Sequence, residues 1–140
     1  MKQRTPVSKI MSTNLVTLNN TDDLTSAEEL FKLHEIRHIP VVSGNDVIGM
    51  LSHTDLMRVS YAENVEEYET EVGVVLNSIF TIDQVMAKNV ECVKETDTIK
   101  EVAQILATRE FHALPVTDTN DKLVGIVTST DLIQYLLEQY

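Results

Sequence analysis

The chain repeats itself, and that repeat constrains its fold more than any other feature. Val7–Met57 can be laid against Ile82–Ile133. At an offset of 75, Met11 meets Met86, Asn14 meets Asn89, and Thr21-Asp22 meets Thr96-Asp97. Glu35 then meets Glu110, and Pro40-Val41 meets Pro115-Val116. One extra residue in the following turn moves the offset to 76, where Gly49 meets Gly125 and Thr54-Asp55-Leu56 meets Thr130-Asp131-Leu132. Apolar positions match too: Ile10/Val85, Leu15/Val90, Leu24/Ile99, Leu30/Ile105, Ile48/Val124, Met50/Ile126 and Leu51/Val127. Self-similarity at a fixed spacing, broken by one insertion, identifies two copies of one structural unit.

Each copy reads in the same order. Leu15–Leu18 and Val90–Val93 are extended segments by their alternation. Thr21-Asp22 and Thr96-Asp97 offer side-chain oxygens for the orphan amides of a helix start. Leu24, Ala27, Leu30 and Phe31 then recur at helical spacing, as do Ile99, Val102, Ile105 and Leu106. Pro40 and Pro115 bias the residues before them toward extended geometry, so each helix stops short of them. Ile39–Val42 and Leu114–Thr117 are strands. The turns Ser43–Asp46 and Asp118–Asp121 lead into the apolar runs Val47–Leu51 and Leu123–Val127, completing a hairpin. A second helix begins near Thr54 and near Thr130. The expectation is an α+β fold of two β-α-β-β-α repeats, over 7–59 and 81–138. Between them, 60–80 reads as an acidic, partly helical connector carrying Glu63, Glu66, Glu67, Glu69 and Glu71. A unit of about 50–60 residues buries little core alone. The copies are therefore expected to pack as a pseudo-twofold pair with a cleft where they meet.

Charge narrows the function. With 11 Lys+Arg against 22 Asp+Glu the formal net charge is −11, which opposes nucleic-acid backbones and anionic lipid. No apolar run approaches the ~20 residues of a membrane helix. No signal peptide is visible after Met1-Lys2-Gln3-Arg4, so a cytoplasmic protein is expected. Cys92 is the single cysteine, which excludes an internal disulfide framework and a multi-cysteine metal site.

These repeats resemble cystathionine-β-synthase (CBS) domains. The residues that carry the resemblance are His38-Ile39-Pro40-Val41 with Gly49-Met50-Leu51-Ser52-His53-Thr54-Asp55, and Ala113-Leu114-Pro115-Val116 with Gly125-Ile126-Val127-Thr128-Ser129-Thr130-Asp131. The resemblance runs from about Val7 to Leu137. It implies a tandem pair, or Bateman module, that senses an adenine nucleotide (AMP, ADP or ATP) or S-adenosylmethionine, requires no cofactor and is not itself an enzyme. It also implies a homodimer and a separate regulated protein.

Ser52-x-x-Asp55 and Thr128-x-x-Asp131 lie between an apolar strand and a helix start. As local structure they are capping boxes. The same geometry suits a ligand. A helix N-terminus favours phosphate, and a carboxylate can accept hydrogen bonds from ribose hydroxyls. The resemblance assigns two sites, each joining the motif of one copy to segments of the other. Site A is Ile126, Thr128 and Asp131 with Ser12, Leu15, Val16, Ile36, Arg37 and His38. Site B is Met50, Ser52 and Asp55 with Ala87, Val90, Glu91, Phe111, His112 and Ala113. Site A offers Arg37, a cation suited to phosphate. Site B offers Glu91, which opposes phosphate, with His112 as its one nearby candidate cation. Site A is therefore expected to be the better nucleotide site.

Other readings are weaker. His34-Glu35-Ile36-Arg37-His38 matches the H-E-x-x-H zinc-hydrolase pattern, which needs one continuous helix. Pro40 sits too close for that, and the second copy has neither histidine in place. Cys92, in an alternating segment, is expected to be a small semi-buried residue, and His53 and His112 to be structural or solvent-facing. Gly49 and Gly125 answer backbone needs at strand positions. A structural interaction protein without a small ligand, its Asp motifs serving only as caps, is the remaining alternative.

Overall fold

The computed structural model describes residues 4–62, 80–109 and 111–140. The acidic connector expected over 60–80 lies mostly outside the described residues. Each repeat folds in the expected element order. The first has β1 (Leu18–Asn19), α1 (Leu24–His34), β2 (His38–Ser43), β3 (Asp46–Ser52) and α2 (His53–Ala62). A short α3 (Ile82–Val85) opens the second, followed by β4 (Val93–Lys94), α4 (Ile99–Thr108), β5 (Ala113–Thr117), β6 (Leu123–Thr128) and α5 (Ser129–Glu138). Each sheet has three strands, with the middle strand parallel to the first and antiparallel to the third. Even the irregularities repeat: a register shift falls between Val41 and Val42 and again between Val116 and Thr117.

The first strands are shorter than their sequence suggests. Parallel pairing is confined to Leu18↔Val41 with Asn19↔Val42, and to Val93↔Val116 with Lys94↔Thr117. The chain then turns away, and the residues read as helix starts make that turn. Asp22 accepts the amide of Asn19 at 2.8 Å, and Asp97 that of Lys94 at 2.9 Å. The helix caps lie beyond them. Asp23 accepts from the Ser26 amide at 2.8 Å, and Thr98 from that of Glu101 at 3.1 Å, in a reciprocal capping box. The Ser26 amide holds the Asp23 carboxyl below its usual range. Stability from this depressed group is present above its unfolded pKa and fades as pH falls through the folded one.

The chain divides into two compact units whose borders cut across the repeats. One comprises Met1–Leu15 with Val90–Tyr140, the other Val16–Asn89. Each repeat thus gives its opening segment to the sheet of the other. In the first unit, Val7 is fully buried among Val93, Val102, Leu114, Val116 and Val127. Its amide donates to the Asp97 carbonyl at 2.7 Å. In the second, Ile82 is fully buried and Met86 nearly so, with Leu18, Leu24, Phe31, Ile39, Val41 and Leu51. Burying one such aliphatic side chain contributes roughly 1.5–3 kcal/mol, enough to pin a short segment.

Gly49 and Gly125 mark where these segments cross the sheets. Met50 and Ala87 exchange backbone hydrogen bonds at 3.0 and 2.9 Å, and Ser12 and Ile126 at 2.8 and 3.0 Å. A Cβ on Gly125 would stand 2.6 Å from Met11 Sδ and 3.0 Å from the Ser12 carbonyl oxygen. A Cβ on Gly49 would meet Met86 Sδ, and the Ala87 carbonyl oxygen at 2.8 Å. The need at both strand positions is for close approach by the exchanged segment.

Candidate functional site

The two Asp-containing motifs sit where a buried strand hands over to a helix. At the β6–α5 junction Thr128 Oγ1 accepts from the Asp131 amide at 3.1 Å, and Asp131 Oδ2 accepts from the Thr128 amide at 2.9 Å. This is a complete capping box. It leaves the second carboxylate oxygen of Asp131 outside the box, on a half-buried residue. At the β3–α2 junction Ser52 Oγ accepts from the Asp55 amide at 3.0 Å. Here the carboxylate faces Arg58, whose Nη1 lies 3.4 Å from Asp55 Oδ1. The two Asp residues are thus equivalent in sequence and different in surroundings.

The segment before each proline is tied to the helix start of its own copy. The amide of His53 donates to the Arg37 carbonyl at 2.8 Å, and the amide of Ser129 to the His112 carbonyl at 3.0 Å. These bonds satisfy one orphan amide of each helix. They leave the side chains of Arg37 and His112 exposed.

The residues of the two expected sites are distributed over both units. For site A, the first unit holds Ser12, Leu15, Ile126, Thr128 and Asp131, and the second holds Val16, Ile36, Arg37 and His38. The Ser12–Ile126 hydrogen bonds bring the first group together. For site B, the second unit holds Met50, Ser52, Asp55 and Ala87, joined by the Met50–Ala87 pair. The first unit holds Val90, Glu91, Phe111, His112 and Ala113.

One expectation about site B is corrected. His112 is not the one cation near Glu91, because Arg109 Nη1 lies 2.9 Å from Glu91 Oε2. Arg109 is the C-cap of α4, in extended geometry, which turns it off the helix axis. A basic residue ending a helix just before the pre-proline segment was the sequence signal for it. Among the described residues, Arg37 of site A makes no such ion pair.

Several side motifs resolve. Helix α1 ends at His34, Glu35 is left-handed at φ 53°, and His38 lies in β2. His34 and His38 are therefore not on one helix, as the zinc-hydrolase pattern requires. Among the described residues no group of three His, Cys, Asp or Glu side chains is placed to hold a metal. His53 packs edge-on against Phe31, ring centroids 5.4 Å apart, a structural role. Cys92 is exposed, not semi-buried as its alternation suggested. Neighbouring atoms still crowd its sulfur, so desolvation raises the thiol pKa, reinforced by the Asp121 charge and opposed by Lys94. A raised pKa disfavours the thiolate a nucleophile needs. No helix among the described residues is long and apolar enough to cross a membrane.

The CBS domain family model matches residues 7–62 and 82–138. The chain belongs to the CBS domain family. This CBS chain is 29% identical, over 99 residues, to the uncharacterized protein MJ1225 of Methanocaldococcus jannaschii, covering 71% of this chain and 35% of that protein. It spans a quarter or less of the curated relatives that match next. The CBS domain pair of protein MJ0100, solved with 5′-methylthioadenosine and S-adenosyl-L-methionine, is 25% identical with a TM-score of 0.78. The match covers 94% of this chain and 99% of that one. CBSX2 of Arabidopsis thaliana, solved with AMP, has the same CBS-pair fold at 21% identity and a TM-score of 0.78. That match covers 96% of this chain and 98% of that one.

Proposed function

We propose that this CBS pair is a non-enzymatic sensor of an adenine nucleotide or related adenosyl ligand. The observation that carries the reading is the β6–α5 junction. There Thr128 and Asp131 complete a helix cap, while one carboxylate oxygen stays outside it and the exchanged Ser12 segment is bonded to the same strand. A carboxylate at that point can accept from ribose hydroxyls, and the helix N-terminus attracts phosphate. The adenosyl ligands of the MJ0100 domain pair support the ligand class. Site A is the stronger nucleotide site because Arg37 is exposed and, among the described residues, in no ion pair, whereas Arg109 on the site B side is already engaged by the Glu91 carboxylate. The chain acts by passing a ligand-dependent change of conformation to a separate protein, in the cytoplasm. The test is the melting temperature of the intact chain during titration with AMP, ADP, ATP and S-adenosylmethionine. At least one of them raises it; no rise with any of the four at millimolar concentration leaves the structural-interaction reading instead.

The chain pairs with a second copy of itself through α4 and α5. Ile99, Ala103, Leu132, Ile133, Tyr135 and Leu136 line a shallow apolar groove of about 230 Å³. Ile133 is 58% exposed and Leu137 68%, an apolar concentration that marks an interaction surface. Replacing Ile133 and Leu136 together with glutamate converts the dimer to a monomer in light scattering. A wild type already monomeric at high micromolar concentration would refute this pairing.

A further inference from the structure

The opening segment, residues 4–12, is held by the rest of its unit as a peptide is held by a receptor. Val7 is its buried anchor, with Ile10 and Met11 packed at the margin of the same core. Its main chain is tied at three places. The Val7 amide donates to the Asp97 carbonyl at 2.7 Å, and the Ser8 amide to that of Glu95 at 3.2 Å, both between β4 and α4. The Thr5 carbonyl accepts from the Ile99 amide at 2.9 Å, which satisfies an orphan donor in the first turn of α4. Ser12 and Ile126 exchange a pair of bonds at β6. The dock beneath is built to be covered. Pro115 stands opposite Ile126 in the β5–β6 register and has no amide to give, so the amide and carbonyl of Ile126 face away from β5. Without the segment, β6 is an open edge beside the hollow that Val7 fills among Val102, Leu114, Val116 and Val127. An uncovered edge is a template for pairing with another chain.

We propose that the opening segment of one copy of this chain docks on the β6 edge of a second copy, in reciprocal exchange. Within its unit the segment is joined to Val90–Tyr140 only by contacts, because the chain between them, residues 16–89, belongs to the other unit. A segment from another copy makes the same hydrogen bonds and fills the same hollow. The dock itself therefore gains and loses nothing when the donor changes. Two copies that trade segments form a closed pair. The chain's own link favours its own segment, so exchange grows with protein concentration. Entry is by local opening: one buried anchor and a few backbone bonds release more cheaply than the unit's core does. This pairing reads an extended segment on a sheet edge, whereas pairing through α4 and α5 reads one helix face on another.

The experiment mixes two variants of the full chain. Val7→Asp spoils the segment and leaves the dock intact. Ile126→Pro spoils the dock, since it removes the donor to Ser12 and puts a ring in the segment's path, and it takes no bond from β5. Each variant alone exchanges its Ser12 amide with solvent quickly. On mixing, the Ser12 amide of the Ile126→Pro copies and the Ile126 amide of the Val7→Asp copies slow by at least about tenfold, as a sound segment meets a sound dock. The Ser12 amide of the Val7→Asp copies stays fast. Nuclear magnetic resonance with one variant isotope-labelled at a time reads these amides separately. Pairing through α4 and α5 alone slows none of them, and absence of the recovery overturns the exchange. A second measurement needs no variant to fold. A fluorescent peptide with the sequence of residues 4–13 binds the intact chain, and the same peptide with Asp in place of Val7 binds at least about tenfold more weakly, the scale of one lost aliphatic anchor. Equal binding of the two peptides, or none at millimolar concentration, overturns the dock as a site for a second copy's segment.

Discussion

Asp131→Ala is expected to abolish most of the ligand response while barely weakening the fold. Saturating ligand at a hundredfold excess over Kd stabilises the bound state by roughly 2.7 kcal/mol, which in a chain of this size is a rise of several degrees in Tm. The variant should lose nearly all of that rise for the ligand of site A. Its unliganded Tm should fall by only the value of half a capping box, about 1 kcal/mol or less. Thr128 still accepts from the amide of residue 131 whatever side chain is there. The ligand effect therefore exceeds the structural one, and the two separate cleanly. Asp131→Asn is the control, since its amide oxygen preserves the capping acceptor and removes only the charge. If Asp131→Ala keeps the full ligand response, the carboxylate is a cap and nothing more. That result would favour a structural interaction module.

Gly125→Val has the largest expected effect on the fold. Met11 Sδ could move away from a new Cβ, being the far end of a flexible side chain. The Ser12 carbonyl oxygen, 3.0 Å away, cannot. It belongs to a backbone held by two hydrogen bonds to Ile126. Overpacking of this kind costs typically 1–3 kcal/mol. If the segment peels off instead, the chain loses the burial of Val7, a similar amount. Either way the urea midpoint should drop by roughly 2 kcal/mol's worth. Hydrogen exchange distinguishes the routes: peeling accelerates the amides of Ser12 and Ile126 and spares β5. Wild-type urea stability together with unchanged exchange at Ser12 and Ile126 would show that the segment is not clamped as described.

Much of this architecture is legible in the residues because it is local. Apolar spacing places α1 and α4, Pro40 and Pro115 end them, and the hairpins lie within a residue or two of their expected limits. The caps are misplaced by one or two residues for a physical reason. Aspartate serves equally well to close a turn and to open a helix, and only the geometry shows that Asp22 and Asp97 do the former while Asp23 does the latter. The exchanged segments are not legible, since Val7–Met11 and Ile82–Met86 are too short for a period and their partners are distant in sequence. Their traces are the matched apolar pairs Val7/Ile82, Ile10/Val85 and Met11/Met86 ahead of each first strand, and the crossed site assignments that the family resemblance implies. The site shows the same division. Thr128 and Asp131 are legible as a motif, whereas the pairing of Glu91 with Arg109 needs the end of α4 to be placed before it can be seen.

The exchange of opening segments also sets an order of assembly. Residues 4–12 are made before every strand of the sheet they join, and the strand that holds them, β6, ends at Thr128. They have no sheet to join until nearly the whole described chain exists. The first repeat waits in the same way, with its sheet lacking Ile82 and Met86 until the chain has passed the connector. Contacts of such long sequence separation close slowly. A nascent chain halted in the connector would expose the apolar floor that Ile82 covers, the kind of surface on which newly made chains aggregate. Neither repeat is a unit that a cell, or an experimenter cutting at the repeat boundary, can expect to find folded by itself.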